Sequence, residues 1–343
     1  GSITQQIGLT GVNYGYGSEG GIFEDSGNDG LNNAGQVIGF SERFNNSAVF
    51  LGQDTWISNG TTTQQIGLTG TGYSYANTSG GGGTYEQSEA FQITDAGQAI
   101  GNSERYNASG TDLGEDAWVF NGTTTFLVGL TGTNYGYATS GGTYQNSVPL
   151  GINPSGQAIG WTYRYDSSGD PLGRSAWFYD PTLDKSLPLE FSFDPTGNCN
   201  TFPEVLTSNG DVLGYYYDYF QMGSLSSFKE EAFLWTESTG EYDVGALVNG
   251  GLTAAGWANL YTAGAAVGLD LNGFPTSIFG DGELPNSAPG SNTFYLLTEL
   301  PEPTAIAPAA AVLLILKRRR GRAAAITSDS WSAVPRRLNR RLI

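Results

Sequence analysis

Three arginines occupy one recurring place in this sequence: Arg43, Arg105 and Arg164 each stand four residues past the second glycine of the same short pattern. They are half of the six basic residues found in positions 1–300. Guanidiniums repeated in this way suit two kinds of chemistry. One is a ring of forked donors that binds an anionic sugar or a carboxylate ligand. The other is pairing inside each repeat, Arg43 with Asp54 and Arg105 with Asp116 on the neighbouring strand. The fourth copy favours pairing, because Asp218 takes the arginine's place and Lys229 lies nearby, a reversal of sign that preserves a pair. On exposed strands each such pair is worth ~0.2–1 kcal/mol.

Other reactive groups are scarce. There is no histidine and a single cysteine, Cys199. The commonest general base, the usual zinc ligand, the Ser/His and Cys/His nucleophile pairs and any internal disulfide are therefore excluded. A glycosidase or lyase needs only two well-placed carboxylates. Glu42, Glu104, Asp112, Glu115 and Glu204 are available for that, but with 31 acidic residues in positions 1–300 no pair stands out. The loops "DSSGD" (166–170) and "LDLNGF" (269–274) carry oxygens for weak calcium binding, yet neither has a recognised calcium-loop spacing, and turn chemistry explains both. No cofactor is expected. "YSYANTSGGGGTY" (73–85) and "YGYATSGGTY" (135–144) present aromatic rings in Gly-rich loops, either to stack on sugars or as plain connections.

The elements that position these groups follow from composition and repetition. Gly contributes 51 of 343 residues, and Tyr, Thr, Asn and Ser recur throughout, whereas long helix-forming stretches are missing before residue 305. An all-β chain with many turns is the consequence. Positions 1–300 set six basic residues against 31 acidic ones, while 301–343 hold nine basic and two acidic. So acidic a body repels phosphate backbones, which argues against a nucleic-acid partner.

"NNAGQVIGFSERF" (32–44), "TDAGQAIGNSERY" (94–106), "NPSGQAIGWTYRY" (153–165) and "TSNGDVLGYYYDY" (207–219) are four versions of one pattern. Each is followed by a second shared element, "LGQDTWISNG", "LGEDAWVFNG", "LGRSAWFYDP" and "FKEEAFLWTE". A degenerate fifth copy spans 268–283 and 292–297, so that turn glycines 35, 97, 156, 210 and 273 are spaced by 62, 59, 54 and 63 residues. Alternation on both sides of each turn, with an aromatic recurring at Trp56, Trp118, Trp177 and Phe233, predicts four short antiparallel strands per copy. That is the pattern of a β-propeller blade. "SITQQIGLTG" (2–11) matches the last strand of a blade at 61–70, so strand 3–9 is expected to join the last blade and close a ring of about five. An open β-solenoid is the alternative architecture.

The repeated strand-turn-strand "[IL]-x-x-x-G-[QD]-x-[IL]-G" followed by "A-[WF]-[LVF]" resembles the HAF-type extracellular repeat proteins of bacteria over about residues 28–297, with Asp116 or Glu231 where that repeat has its histidine. "LPEPTAIAPAAAVLLILKRRRGR" resembles the PEP-CTERM sorting signal: the triplet Pro301, Glu302, Pro303, an apolar helix and a basic cluster. The resemblance implies export and recognition by an exosortase-type membrane protease, with delivery to the cell surface, outer envelope or extracellular matrix.

The physical chemistry of the segment agrees. The prolines stiffen an extended stretch, and 12 apolar residues from Ala305 to Leu316 enter a bilayer with Lys317, Arg318, Arg319, Arg320 and Arg322 as the cytoplasmic stop. Twelve residues make ~18 Å of helix against a ~30 Å hydrocarbon core, which suits a transient anchor. The expected organisation is thus a repeat domain at 1–300, a sorting segment at 301–322, and a basic tail at 323–343, read as disordered or as a read-through extension. A leader for export is expected to have been removed or to lie outside this sequence. The function expected is that of an exported, non-catalytic binding or structural protein with extracellular polysaccharide as its partner. The alternatives are a polysaccharide-active hydrolase or lyase on the same scaffold, and a cytoplasmic interaction hub.

Overall fold

The structure, a computed structural model, describes residues 4–18, 21–222, 225–269, 275–288, 291–299 and 313–315. It is nearly all β, as the composition requires. A hairpin of β1 (Gly15–Ser18) and β2 (Gly21–Glu24) comes first. The first sheet follows, with β3 (Ser26–Leu31), β4 (Val37–Phe44), β5 (Phe50–Ser58) and β6 (Thr63–Ile66) antiparallel in chain order. After β7 (Ser74–Ala76) the second sheet repeats the plan with β8 (Thr84–Ile93), β9 (Ala99–Tyr106), β10 (Asp112–Phe120) and β11 (Thr125–Val128).

Strand β12 (Gly136–Thr139) leads into the third sheet, formed by β13 (Gly142–Ile152), β14 (Ala158–Tyr165), β15 (Pro171–Asp180) and β16 (Lys185–Leu189). The fourth contains β17 (Cys199–Leu206), β18 (Val212–Met222), β19 (Leu225–Thr236) and β20 (Gly240–Asp243). A 3-10 turn (Val244–Leu247) and a one-turn helix α1 (Leu252–Ala255) then intervene. The degenerate fifth copy is a sheet too: β21 (Asn259–Leu260) and β22 (Ala265–Leu269) both pair with β23 (Pro275–Glu283), and β23 pairs with β24 (Thr293–Glu299).

The recurring aromatic and the second glycine of the pattern explain each other. Gly39, Gly101, Gly160, Gly214 and Gly280 lie directly opposite Trp56, Trp118, Trp177, Phe233 and Tyr295 on the next strand. A Cβ at Gly101 would sit 2.4 Å from the Trp118 ring and 2.0 Å from the Glu89 carbonyl, so the indole lies flat over a bare backbone. All five aromatics are buried, and Trp118, Trp177, Phe233 and Tyr295 belong to cores shared by successive sheets. Ile38, Ile57 and Ile66 of the first sheet pack with Ala99, Trp118 and Phe120 of the second. Ile100, Val119 and Val128 of the second pack with Ala158, Trp177 and Tyr179 of the third. The fourth sheet is held to the third through Phe178 and Trp235, and to the fifth through Leu234 and Leu260.

The tight turns touch as well. Asn32 Nδ2 in the first donates to the Thr94 carbonyl of the second at 2.8 Å, and Asn153 Nδ2 in the third donates to the Thr207 carbonyl of the fourth at 3.0 Å. Each sheet therefore leans on the one that follows it.

Two expectations are corrected. Residues 4–9, the described part of the expected closing strand 3–9, form no strand. Instead the Leu9 N–H donates to Ser41 Oγ at 3.0 Å, as Leu68 does to Ser103 and Leu130 to Thr162, so this stretch docks on the first sheet as its counterparts dock on the second and third. The edge of β24 that it was expected to cover is taken by β25 (Leu313–Ile315), which pairs antiparallel with Leu297–Glu299. The second correction follows from the first. These three residues of the apolar run expected as a helix are extended, because an open sheet edge offers their backbone groups direct partners. The rest of that run, the triplet Pro301–Pro303, the cluster from Lys317 to Arg322 and the tail 323–343 lie outside the described residues. Among the described residues no helix is long and apolar enough to cross a membrane.

Candidate functional site

The repeated arginines pair as the spacing predicts, but inside the protein. Arg43 Nη1 lies 2.5 Å from Asp54 Oδ2 and 2.9 Å from Glu86 Oε2 on β8 of the next sheet. Arg105 Nε lies 3.1 Å from Asp116 Oδ2, whose other oxygen accepts from Gln145 Nε2 on β13 at 2.9 Å. Asp54 is 1 % exposed and Asp116 4 %, so the value for exposed strands does not apply. Taking one partner away from a buried pair costs ~3–5 kcal/mol, because the other charge is left without compensation. In the third copy Ser175 replaces the aspartate, and Glu190, just after β16, supplies the carboxylate that pairs with Arg164. In the fourth, Lys229 pairs with Glu231 and approaches Asp218 at 3.7 Å.

Sequence reasoning missed a third member of this network. Tyr14, Tyr73 and Tyr135, from the repeated "GLTG-x-x-Y", donate their hydroxyls to Asp54 at 2.7 Å, Asp116 at 2.9 Å and Glu190 at 2.8 Å. Burial first, and the facing acid second, raise all three phenols, so they remain donors. Burial also raises Glu86 and Asp116, while the arginine beside each opposes the shift.

These networks sit where one sheet is joined to the next. Gly52, Gly114 and Gly173 have φ of 89°, 88° and 89° and interrupt the register of β5, β10 and β15 as bulges. Each bulge swings the strand into a two-residue parallel bridge with β8, β13 and β17. A Cβ on Gly114 would lie 1.8 Å from the Gln145 carbonyl, so the backbones meet where only glycine fits. The recurring "LG" ahead of Trp56, Trp118 and Trp177 was the signal for this joint.

Asn102, Glu104 and Glu115 face the groove between the second and third sheets, and there the copies diverge. Glu104 and Glu115 are directly opposed across β9 and β10. Asn102 donates to Glu115, Tyr106 donates to Glu104, and Asn146 on β13 lies alongside Glu115 with its Oδ1 buried and unpartnered. Burial, then Glu104, push Glu115 up to about 7, and burial raises Glu104. In the next groove Trp161, Tyr163 and Arg174 take these places, with the Arg174 guanidinium 4.7 Å from both the Trp161 and Phe202 rings. Glu42 sits in the first groove, raised by burial and then by Asp25, and Glu204 lies near the fifth sheet, raised by burial and then by Asp281. Of the carboxylates weighed for catalysis, the fold brings Glu104, Glu115 and Asp112 together and leaves Glu42 and Glu204 apart.

The fourth joint is different. Lys229 stands where the first three copies have the bridging glycine, and β18 and β19 run in unbroken register from Val212↔Trp235 to Met222↔Leu225. Among the described residues no parallel bridge joins β19 to the fifth sheet. A cleft of about 720 Å³ opens instead, lined by Phe228, Lys229, Glu230, Glu231, Asp243, Asn259, Tyr261, Glu283 and Asn292 among others.

The Gly-rich aromatic loops are internally packed. Tyr75, Tyr85 and Tyr106 contact one another at centroid distances of 5.0–5.5 Å, Tyr137, Tyr144 and Tyr165 do so at 4.9–6.0 Å, and β1–β2 forms an equivalent cluster with Tyr16, Phe23 and Phe44. In "DSSGD", Asp166 Oδ1 accepts from the Ser168 and Asp170 N–H groups, which is turn geometry, while most of the second candidate calcium loop lies outside the described residues. No group of His, Cys, Asp or Glu among the described residues is arranged to hold a metal ion. Comparison with protein-family models and with curated proteins gives no match.

Proposed function

We propose that this protein is an exported, non-catalytic β-propeller of about five blades, carried to the cell surface, outer envelope or extracellular matrix through its PEP-CTERM-like segment by an exosortase-type protease, and that it serves there as a binding or matrix component for polysaccharide. The observation that carries the reading is the repetition of one joint. A glycine bridge and an arginine–carboxylate–tyrosine network recur between the first and second, second and third, and third and fourth sheets. Groups that recur at equivalent places act on assembly rather than on one substrate. Four-stranded antiparallel sheets that share cores with their neighbours suit blades, none of which buries both faces alone. Fractionation of cells expressing the chain with and without residues 301–322 tests the reading: envelope or external location should depend on that segment, and a soluble cytoplasmic location in both cases overturns it.

One observation favours the alternative of a polysaccharide-active hydrolase or lyase. Glu104 and Glu115 are paired carboxylates in a groove, one of them raised to about 7, as a general acid requires. Turnover of a polysaccharide that Glu115→Gln abolishes would establish it over the non-catalytic reading.

A further inference from the structure

The cleft at the fourth joint is where the repeat abandons its own rule. At the other three joints a glycine bulge bends the third strand into a parallel bridge with the following sheet; here Lys229 keeps the ladder straight and the bridge gives way to a side-chain link, Asn259 Nδ2 to the Glu230 carbonyl. The 3-10 turn and α1 fill part of the gap, with Val244 and Leu252 joining the local core. What stays open is about 720 Å³, the size of a pocket for one or two sugar rings.

Its lining is chemically one-sided. Glu230, Glu231, Asp243 and Glu283 contribute four carboxylates against one ammonium, Lys229, already held by Glu231 and Asp218. Among the described residues none of Glu230, Asp243 and Glu283 has a salt-bridge partner. Burial raises Glu230 and Glu231, a cost that a bound cation relieves. The remaining polar groups are held in place by the protein and keep capacity for hydroxyls: Asn259 Nδ2 donates to the Glu230 carbonyl at 2.7 Å, Asn292 Nδ2 donates to Asp281 Oδ2 at 2.6 Å, and the Tyr261 phenol donates to Glu283. Phe228 is 48 % exposed; it stacks on Tyr217 at 4.1 Å and meets Tyr219 edge-on at 6.0 Å. From Tyr217 the rings continue through Phe202 and Tyr215 to Arg174 and Trp161, so an aromatic track leads across the fourth sheet to the cleft.

We infer that the cleft between the fourth and fifth sheets binds a cationic, hydroxyl-rich polymer, a chain of amino sugars with free ammonium groups. This deepens the polysaccharide-binding reading above and rests on it. Carboxylates receive the ammonium, amides and phenol receive the ring hydroxyls, and Phe228 takes the apolar face of a sugar. Uronate, sulfate and phosphate polymers are repelled by the same lining.

Isothermal titration of the full chain with a glucosamine hexamer, its N-acetylated form and a galacturonate hexamer tests the assignment. The glucosamine chain should bind at least about tenfold more tightly than the acetylated one and weaken as salt is raised, and the galacturonate chain should give no binding. Glu230→Gln and Glu283→Gln, which keep shape and remove charge, should each weaken binding about fivefold or more, while Glu24→Gln on the distant β2 leaves it unchanged. Thermal melts of each variant show that the fold is kept. Equal binding of the acetylated chain, wild-type affinity in both cleft variants, or no binding of the glucosamine chain would each overturn the assignment. Such a failure leaves the export reading standing, since fractionation decides that independently.

Discussion

Replacing Glu115 by glutamine should make the protein more stable, and only above neutral pH. In the fold this carboxyl is half-buried, faces Glu104 across the ladder, and is raised from its ordinary 4.5 to about 7. A folded state that holds its proton more tightly than the unfolded chain gains stability from that proton. The gain is complete below the unfolded pKa and is lost as pH rises through about 7. A change of this size corresponds to ~3 kcal/mol at full burial, and on the order of 2–3 kcal/mol where a groove leaves some water. Glutamine does not titrate, still accepts from Asn102, and can direct an N–H at the Asn146 Oδ1 that is buried without a partner. The variant should therefore melt close to wild type at about pH 5 and ~3–5 °C higher at about pH 8. Differential scanning fluorimetry across that range is sufficient. An equal shift at both pH values, or destabilisation at the higher one, refutes the reasoning, because the charge would then not be what the groove resists.

Gly114→Ala places a methyl group 1.8 Å from the Gln145 carbonyl at a positive φ and should lower the melting temperature sharply, whereas alanine at Gly122, where the added atom meets nothing, should cost ~1 kcal/mol through its φ alone. Arg43→Met leaves Asp54 and Glu86 buried without a cation and should cost ~3–5 kcal/mol by urea titration; a loss below ~1 kcal/mol would mean that water reaches the joint. Tyr73→Phe removes one donor to Asp116 and should cost ~1–2 kcal/mol at neutral pH, with a fluorescence melt as the readout.

The sheet plan was legible because its signals are local. A glycine turn between two alternating runs and an aromatic at a fixed distance beyond it specify a hairpin without reference to anything else. The Arg43–Asp54 and Arg105–Asp116 pairs could be anticipated because both members lie on adjacent strands of one copy. Glu190 could not, since the carboxylate that replaces Asp54 and Asp116 moved past the following strand once Ser175 took their place. The joints were present in the sequence as "LG", yet their meaning is a backbone-to-backbone approach between strands about 30 residues apart, which no periodicity reports. The docking of residues 4–9 was misjudged for a related reason: "QQIGLTG" carries both the end of one unit and the contact with the next, and the likeness to 61–70 does not say which half is in use. Lys229 was visible as a departure from glycine; that it opens a cleft became clear only from the unbroken ladder beside it.

The inward turn of the arginines has a consequence for how the molecule meets its surroundings. Arg43, Arg105 and Arg164 neutralise acids inside the joints and Arg174 lies between rings, which leaves Lys185 and Lys229 as the exposed cations among the described residues, against 31 acidic residues in positions 1–300. Seen from outside, positions 1–300 present a surface that is almost purely anionic. Copies of this region brought close together repel one another at low ionic strength, and multivalent cations draw them together.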